Sequence, residues 1–262
     1  MNMSDRASTG AAREFSGLLQ DRTLALCGLV LLAANLVLAL LHGAWFVCLR
    51  YGLDAWPRDP MFSLNSNAGF AQAFSSAQTL LLIAVLLGLA QRTRALLYLA
   101  LAAVFTVVLL DDALALNQLL GAPLADALGL VDRPRLLAQS LAEMLVYGAL
   151  ALPAVALLGI GWLRASATHR QAGTGFLALL GLLAFFATVM DLVHLAFIKS
   201  FFGSRLVLAL IEEGGEMVTL SAALLLALAR ARHLPARTLD HERLMASQTW
   251  SQAAFRLRRS CL

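Results

Sequence analysis

Apolar residues fill six long stretches of the chain, about 23–49, 70–90, 95–119, 136–163, 174–199 and 206–229, and polar residues gather between and outside them. Each stretch reaches the roughly 20 residues that a helix needs to cross a hydrocarbon layer of about 30 Å. A helix is the expected conformation because it closes its backbone hydrogen bonds internally where no water can satisfy them. The pattern therefore predicts an all-α, polytopic membrane protein, a bundle of six transmembrane helices. It divides the chain into an N-terminal segment (1–22), a membrane domain (23–229) and a tail (230–262). The first apolar stretch is longer than the core of a cleaved signal peptide, so it is expected to stay as a signal anchor. In the tail, Leu239, Ala246, Trp250, Ala253 and Leu257 fall near helical spacing with arginines on their flanks. That spacing fits either an amphipathic helix on the inner leaflet or an irregular cytoplasmic tail.

Composition agrees: 60% of the 262 residues are hydrophobic and 14% charged, against about 45–50% and about 25% in soluble domains. A secreted disulfide scaffold and a disordered chain are excluded. Cys27 and Cys48 lie at opposite ends of the first stretch and Cys261 near the C-terminus, so no pair is placed to bridge. The net charge of +4 would suggest nucleic acid in a soluble chain, but here the basic residues lie in loops and tails, where membrane orientation accounts for them. Nineteen of the 20 are Arg, the exception being Lys199, a bias that fits a GC-rich bacterial genome. Fourteen fall on the side that holds both termini and six on the other. The positive-inside rule then places both termini in the cytoplasm of a bacterial inner membrane protein.

The informative residues are those an apolar span should not contain. Asp111, Asp112, Glu143, Asp191, Glu212, Glu213 and Glu216 all fall within the predicted spans. An ionised carboxylate at the bilayer centre costs about 2.5–3.5 kcal/mol on the insertion scale. Tracing the spans back and forth brings all seven to one level, in the outer half of the bundle. His42, His194 and the polar cluster Gln72, Ser75, Ser76 and Gln78 share that level. The layer is independent of orientation, because inverting the protein moves all of it together.

Helical spacing points these groups at a common interior. Asp191 and His194 are three residues apart; Glu212 and Glu216 are four apart, with Glu213 three before Glu216. Ser140, Glu143 and Tyr147 follow one stripe, and Asp111 is expected to share a face with Gln118. Gly214 and Gly215 lower the bulk between the glutamates and favour close approach of another helix or a ligand. Arg50, Lys199 and Arg205 can snorkel toward the layer, yet three cations do not neutralise seven acids. The remaining acids must hold protons, meet water or bind something positive.

The chemistry expected of such a layer is cation binding. Carboxylates with imidazole suit a divalent metal such as Zn, Fe or Mn, with Asp111, Asp112, Glu143, Asp191, His194, Glu212, Glu213 and Glu216 as candidate ligands and His42 as an extra one. A metal-activated water acting on a lipid-like substrate, with a spare carboxylate as base, is one expected outcome. A proton- or cation-coupled transporter is the alternative, and a sensor or assembly subunit with a packing core is the third. The almost purely apolar inner halves of the spans favour a site over a through-path. No Gly-rich phosphate loop, His-Glu-x-x-His or Gly-x-Ser-x-Gly sequence occurs. Asn35 is expected to bond another helix, Pro153 to kink the fourth span, and Trp45, Trp56 and Trp162 to anchor at the interfaces.

The acidic pair in LLDDALALNQ, with Glu143 and LIEEGGEM, resembles a pattern in uncharacterised multi-pass bacterial membrane proteins, where a His-Glu pair follows; here Asn117 and Gln118 stand near that place. That resemblance implies the six-helix fold and no particular activity. The intramembrane Ser, Asp and His are similar to those of alkaline-ceramidase-like membrane hydrolases. Those enzymes hold zinc with three His among seven helices, whereas this chain offers two intramembrane His and six spans.

Overall fold

The computed structural model describes residues 21–54, 56–66, 69–129, 135–190, 192–193, 197 and 203–233, with the side chains of 117–118, 135–140 and 233 outside that description. Among these residues the chain forms seven α-helices and no strand. They are α1 (Arg22–Tyr51), α2 (Phe70–Thr93), α3 (Leu96–Leu114), α4 (Leu116–Ala127), α5 (Arg135–Arg164), α6 (Ala167–Ala184) and α7 (Ser204–His233). A π-helical segment, Phe185–Met190, continues α6. Six helices are long and apolar enough to cross a membrane, α4 being the exception. The protein is thus a membrane-embedded helical bundle. The tail expected to form an interfacial helix, together with Cys261, lies outside the described residues.

Two boundaries depart from expectation. The third span stops at Leu114, five residues early, because Ala115 turns left-handed (φ 46°) and the chain restarts as α4. Asp111 and Gln118 therefore sit on different helices rather than on one. The fifth span begins at Ala167, seven residues early, because the Ser166 side chain caps it by accepting from the His169 amide. Polar residues in that first turn are put to use: Arg170 donates to the carbonyls of Trp162 and Leu163 at the end of α5, at 3.0 and 2.7 Å. Such orphan carbonyls are a natural seat for a cation. His169 lies edge-on against Tyr98 and is half-buried.

In the bundle α7 packs against α1, α2, α6 and the π segment, while α3 lies between α2 and α5, and α4 runs along α5. The main core joins Leu82, Leu86 and Leu89 of α2, Leu97, Tyr98, Leu101 and Phe105 of α3, Phe176 of α6 and Leu220 and Leu224 of α7. On α1, Leu26, Leu29, Val30 and Leu36 are more than half exposed, which fits a peripheral helix facing lipid. One polar node ties it in. Asn35 donates to Ser221 Oγ at 2.9 Å, Gln78 donates to the same oxygen at 2.7 Å, and Ser221 donates onward to the Met217 carbonyl. The expected role of Asn35 is therefore met. At the other end of these helices, Arg232 reaches Asp21, which itself caps α1. α5 runs through Pro153 without ending there.

Small residues set the closest helix approach. A Cβ on Gly161 would lie 3.1 Å from Leu97 Cα and 3.3 Å from the Leu96 carbonyl oxygen, both backbone atoms that cannot swing aside. Gly161→Val should therefore force α5 off α3 and destabilise the bundle by about 1–3 kcal/mol. A lowered thermal midpoint of the purified variant is the expected reading; an unchanged midpoint would show that this approach is looser than the geometry indicates.

Candidate functional site: an acidic cavity with an apolar annex

Asp111 and Asp112 lie in the last turn of α3, and Glu213 and Glu216 lie one turn apart near the start of α7. A cavity of about 190 Å³ brings these four acids together, with Gln72, Ser75 and Thr79 of α2 and Tyr147 of α5 on its walls. Asp111 is buried, at 7% exposure. Gln72 donates to the Asp112 carbonyl at 3.2 Å, satisfying an acceptor that the break at Ala115 leaves without a helical partner. Tyr147 stands in the combined field of Asp111, Asp112 and Glu216. Among the described residues lining the cavity none is basic. Four carboxylates therefore give this small space a negative lining.

The rest of the predicted layer divides. Glu212, buried at 8% exposure, lies on α7 beside the cavity but not on its wall. Glu143 packs against α4: a Cβ on Gly121 would lie 2.6 Å from its Cγ. The stripe of Glu143 and Tyr147 is thus split, with Tyr147 alone on the cavity. His42 shares the depth of the acids but lies elsewhere; its Nδ1 accepts the Leu64 amide at 3.1 Å and its ring lines a different cavity. Asp191 and His194 lie outside the described residues, as does Lys199. Among the described residues no three of His, Cys, Asp and Glu are placed to hold one metal ion. The acids line a space rather than converge on a point.

No known family model, curated protein or solved structure is similar to this chain.

The glycine pair expected to admit a neighbour does so at one position. A Cβ on Gly215 would meet the Phe186 ring at 2.4–2.6 Å, whereas Gly214 has nothing within 4 Å. α7 therefore receives the π segment between Glu213 and Glu216. Single π-helical turns widen a helix locally and recur at functional sites, and Ala187 of this one lines the acidic cavity.

A second cavity, absent from the sequence reading, adjoins the first. About 280 Å³ in volume, it lies between α3, α5 and α6 and is lined almost wholly by apolar side chains, with Val108, Tyr147, Leu183 and Ala187 common to both cavities. Small residues open it: Ala151 and Ala154 on α5, Gly181 and Ala184 on α6. That spacing of small residues was the signal available in the sequence. It is weak, because the same pattern serves close helix packing.

Proposed function

We propose that the protein binds an amphipathic cation, an ammonium head carrying an alkyl chain, with the head among Asp111, Asp112, Glu213 and Glu216 and the chain in the apolar annex. The observation that carries this reading is the shared wall: a negatively lined cavity and an apolar one meet at four residues. Binding sites of this kind pair an apolar lining with a few placed polar groups. The head would exchange bulk water for carboxylates, and Tyr147 would offer it an aromatic ring as well. Beside the acids the bundle is sealed by Leu82, Leu86, Phe105 and Leu224, which favours a binding site over a pore. The arginine bias favours a bacterial cytoplasmic membrane with both termini inside and the acidic end facing out. A metal-dependent hydrolase acting on a lipid-like molecule is the catalytic form of the same reading, and it needs Asp191 and His194 to complete the ligand set.

Titrating the full chain in lipid nanodiscs with decylamine, decanol and Mn²⁺ tests this. Decylamine should bind at least about tenfold more tightly than decanol, since a desolvated charge pair is worth 2 kcal/mol or more. Equal binding of amine and alcohol would contradict the proposal, and tight Mn²⁺ binding with none of the amine would move the reading to metal chemistry.

The annex makes its own prediction. A Cβ on Gly181 would have nothing within 4 Å, so the side chain of Gly181→Leu has room to start into the apolar cavity that Gly181 lines. The fold should hold or gain slightly, because glycine within a helix is less stable than alanine by roughly 0.5–1 kcal/mol. Decylamine affinity should fall while that of methylamine stays, and a parallel loss of both would contradict an alkyl chain in the annex.

A further inference from the structure

At the same end of the bundle as the acids, but on α1, lies a cavity of opposite character. About 420 Å³ in volume, it is lined by His42, Trp45, Arg50, Ser63, Asn65 and Arg205, with Phe46 and Leu49 as apolar neighbours and no acid among the described residues of its wall. His42 is only 3% exposed. Its Nδ1 accepts the Leu64 N–H at 3.1 Å, which places the proton of the neutral ring on Nε2. That Nε2–H is buried and has no partner. Trp45 stacks on the imidazole at 5.6 Å, and its indole N–H is likewise buried without a partner.

Two buried ring donors with nothing to bond are an unusual and costly feature. Here they accompany the guanidinium group of Arg205, in the first turn of α7, where the helix dipole adds positive potential. Among its described residues the lining carries no acid, and the histidine nitrogen left over is a donor. The complement is an anion with several acceptor oxygens. Phosphate fits best, since guanidinium and N–H donors engage it at several oxygens at once. Val47 and Leu49 beside the cavity are 43% and 47% exposed, as expected of side chains that meet lipid, and the cavity lies near the last turns of α1, toward one end of that span.

We propose that the His42–Trp45–Arg205 cavity is a phosphate-group site, filled by the headgroup of an anionic phospholipid or by free phosphate. Its occupant is independent of the amphipathic cation. Its residues are separate from the acidic cavity, so either assignment can fail without the other.

Native mass spectrometry of the full chain in detergent, titrated with phosphatidylglycerol, with diacylglycerol of the same chains and with inorganic phosphate, tests the site. The variants are Arg205→Gln, at an exposed position, and Trp45→Phe, which keeps the ring and removes its N–H. Phosphatidylglycerol should bind about tenfold more tightly than diacylglycerol, and each variant should weaken it about three- to tenfold while leaving diacylglycerol unchanged. Millimolar phosphate that displaces the lipid from the wild type, with the same sensitivity to the variants, would support the site and identify free phosphate as an occupant. Equal retention of phosphatidylglycerol and diacylglycerol would overturn the proposal. So would wild-type phosphatidylglycerol affinity in both variants.

Discussion

The Asp111→Asn/Glu216→Gln variant should lose at least about 100-fold in decylamine affinity, because each carboxylate facing a desolvated ammonium is worth about 2 kcal/mol or more. Both changes are nearly isosteric, so they remove charge while leaving the cavity's shape and much of its hydrogen bonding. Asp111 is the buried residue of the turn that ends α3, and Glu216 lies across the cavity on α7, so the pair takes charge from both sides. Amine at about 100 times its dissociation constant stabilises a folded state by about 2.7 kcal/mol, and each kcal/mol moves a midpoint by about 2–4 °C in a chain of this size class. The wild-type midpoint should therefore rise by roughly 5–10 °C with amine, and that of the variant should stay where it is. Acids that served only helix packing would give the opposite pattern: a lower midpoint for the variant without amine, and no amine response in either protein.

Gly215→Leu should be the most disruptive single change in this half of the bundle. Its Cβ would lie 2.4 Å from Phe186 Cε1, 2.5 Å from Cδ1 and 2.6 Å from Cζ. The ring is rigid and Phe185 packs edge-on against it at 5.6 Å, so relief requires α7 and the π segment to part. Overpacking of this kind costs about 1–3 kcal/mol, occasionally more. Amine binding should fall with it, because Glu213 and Glu216 flank the glycine and Ala187 follows Phe186 on the wall of both cavities. The neighbouring change Gly214→Ala is the control: with nothing within 4 Å of its Cβ, it should be neutral or gain up to roughly 1 kcal/mol. Thermal midpoints of the two variants check the contrast, and equal midpoints would mean that Phe186 yields without moving the helices.

These residues also show what a sequence of this type discloses. Span number and length were readable because hydrocarbon thickness alone sets the requirement, and the depth of a residue follows from counting along a helix. That is why Asp111, Asp112, Glu213 and Glu216 were expected together and do line one cavity. Position around the bundle was not readable, because nothing local says which helix neighbours which. His42 shares the level of the acids, yet its helix puts it in the arginine-lined cavity; Glu143 shares it too, yet packs on Gly121 of α4. The end of α3 was hidden because Ala115, neither glycine nor proline, takes the left-handed turn in a stretch that reads as unbroken helix. The apolar annex left no polar mark, since a void between apolar helices is made of the same residues as a filled core. Gly215 announced a close approach, and only the fold supplies its partner.

Whether the acids hold the head of an amphipathic cation is decided by the distance between ammonium and carboxylate. Solid-state NMR of the full chain in lipid, with ¹⁵N-decylamine and ¹³C-labelled Asp and Glu carboxylates, reports ammonium-to-carboxylate dipolar coupling. Coupling at contact distance, near 3 Å as in charge-assisted hydrogen bonds, that vanishes in Asp111→Asn/Glu216→Gln is the predicted result. Absence of coupling in the wild type, or coupling that survives in the variant, would contradict it.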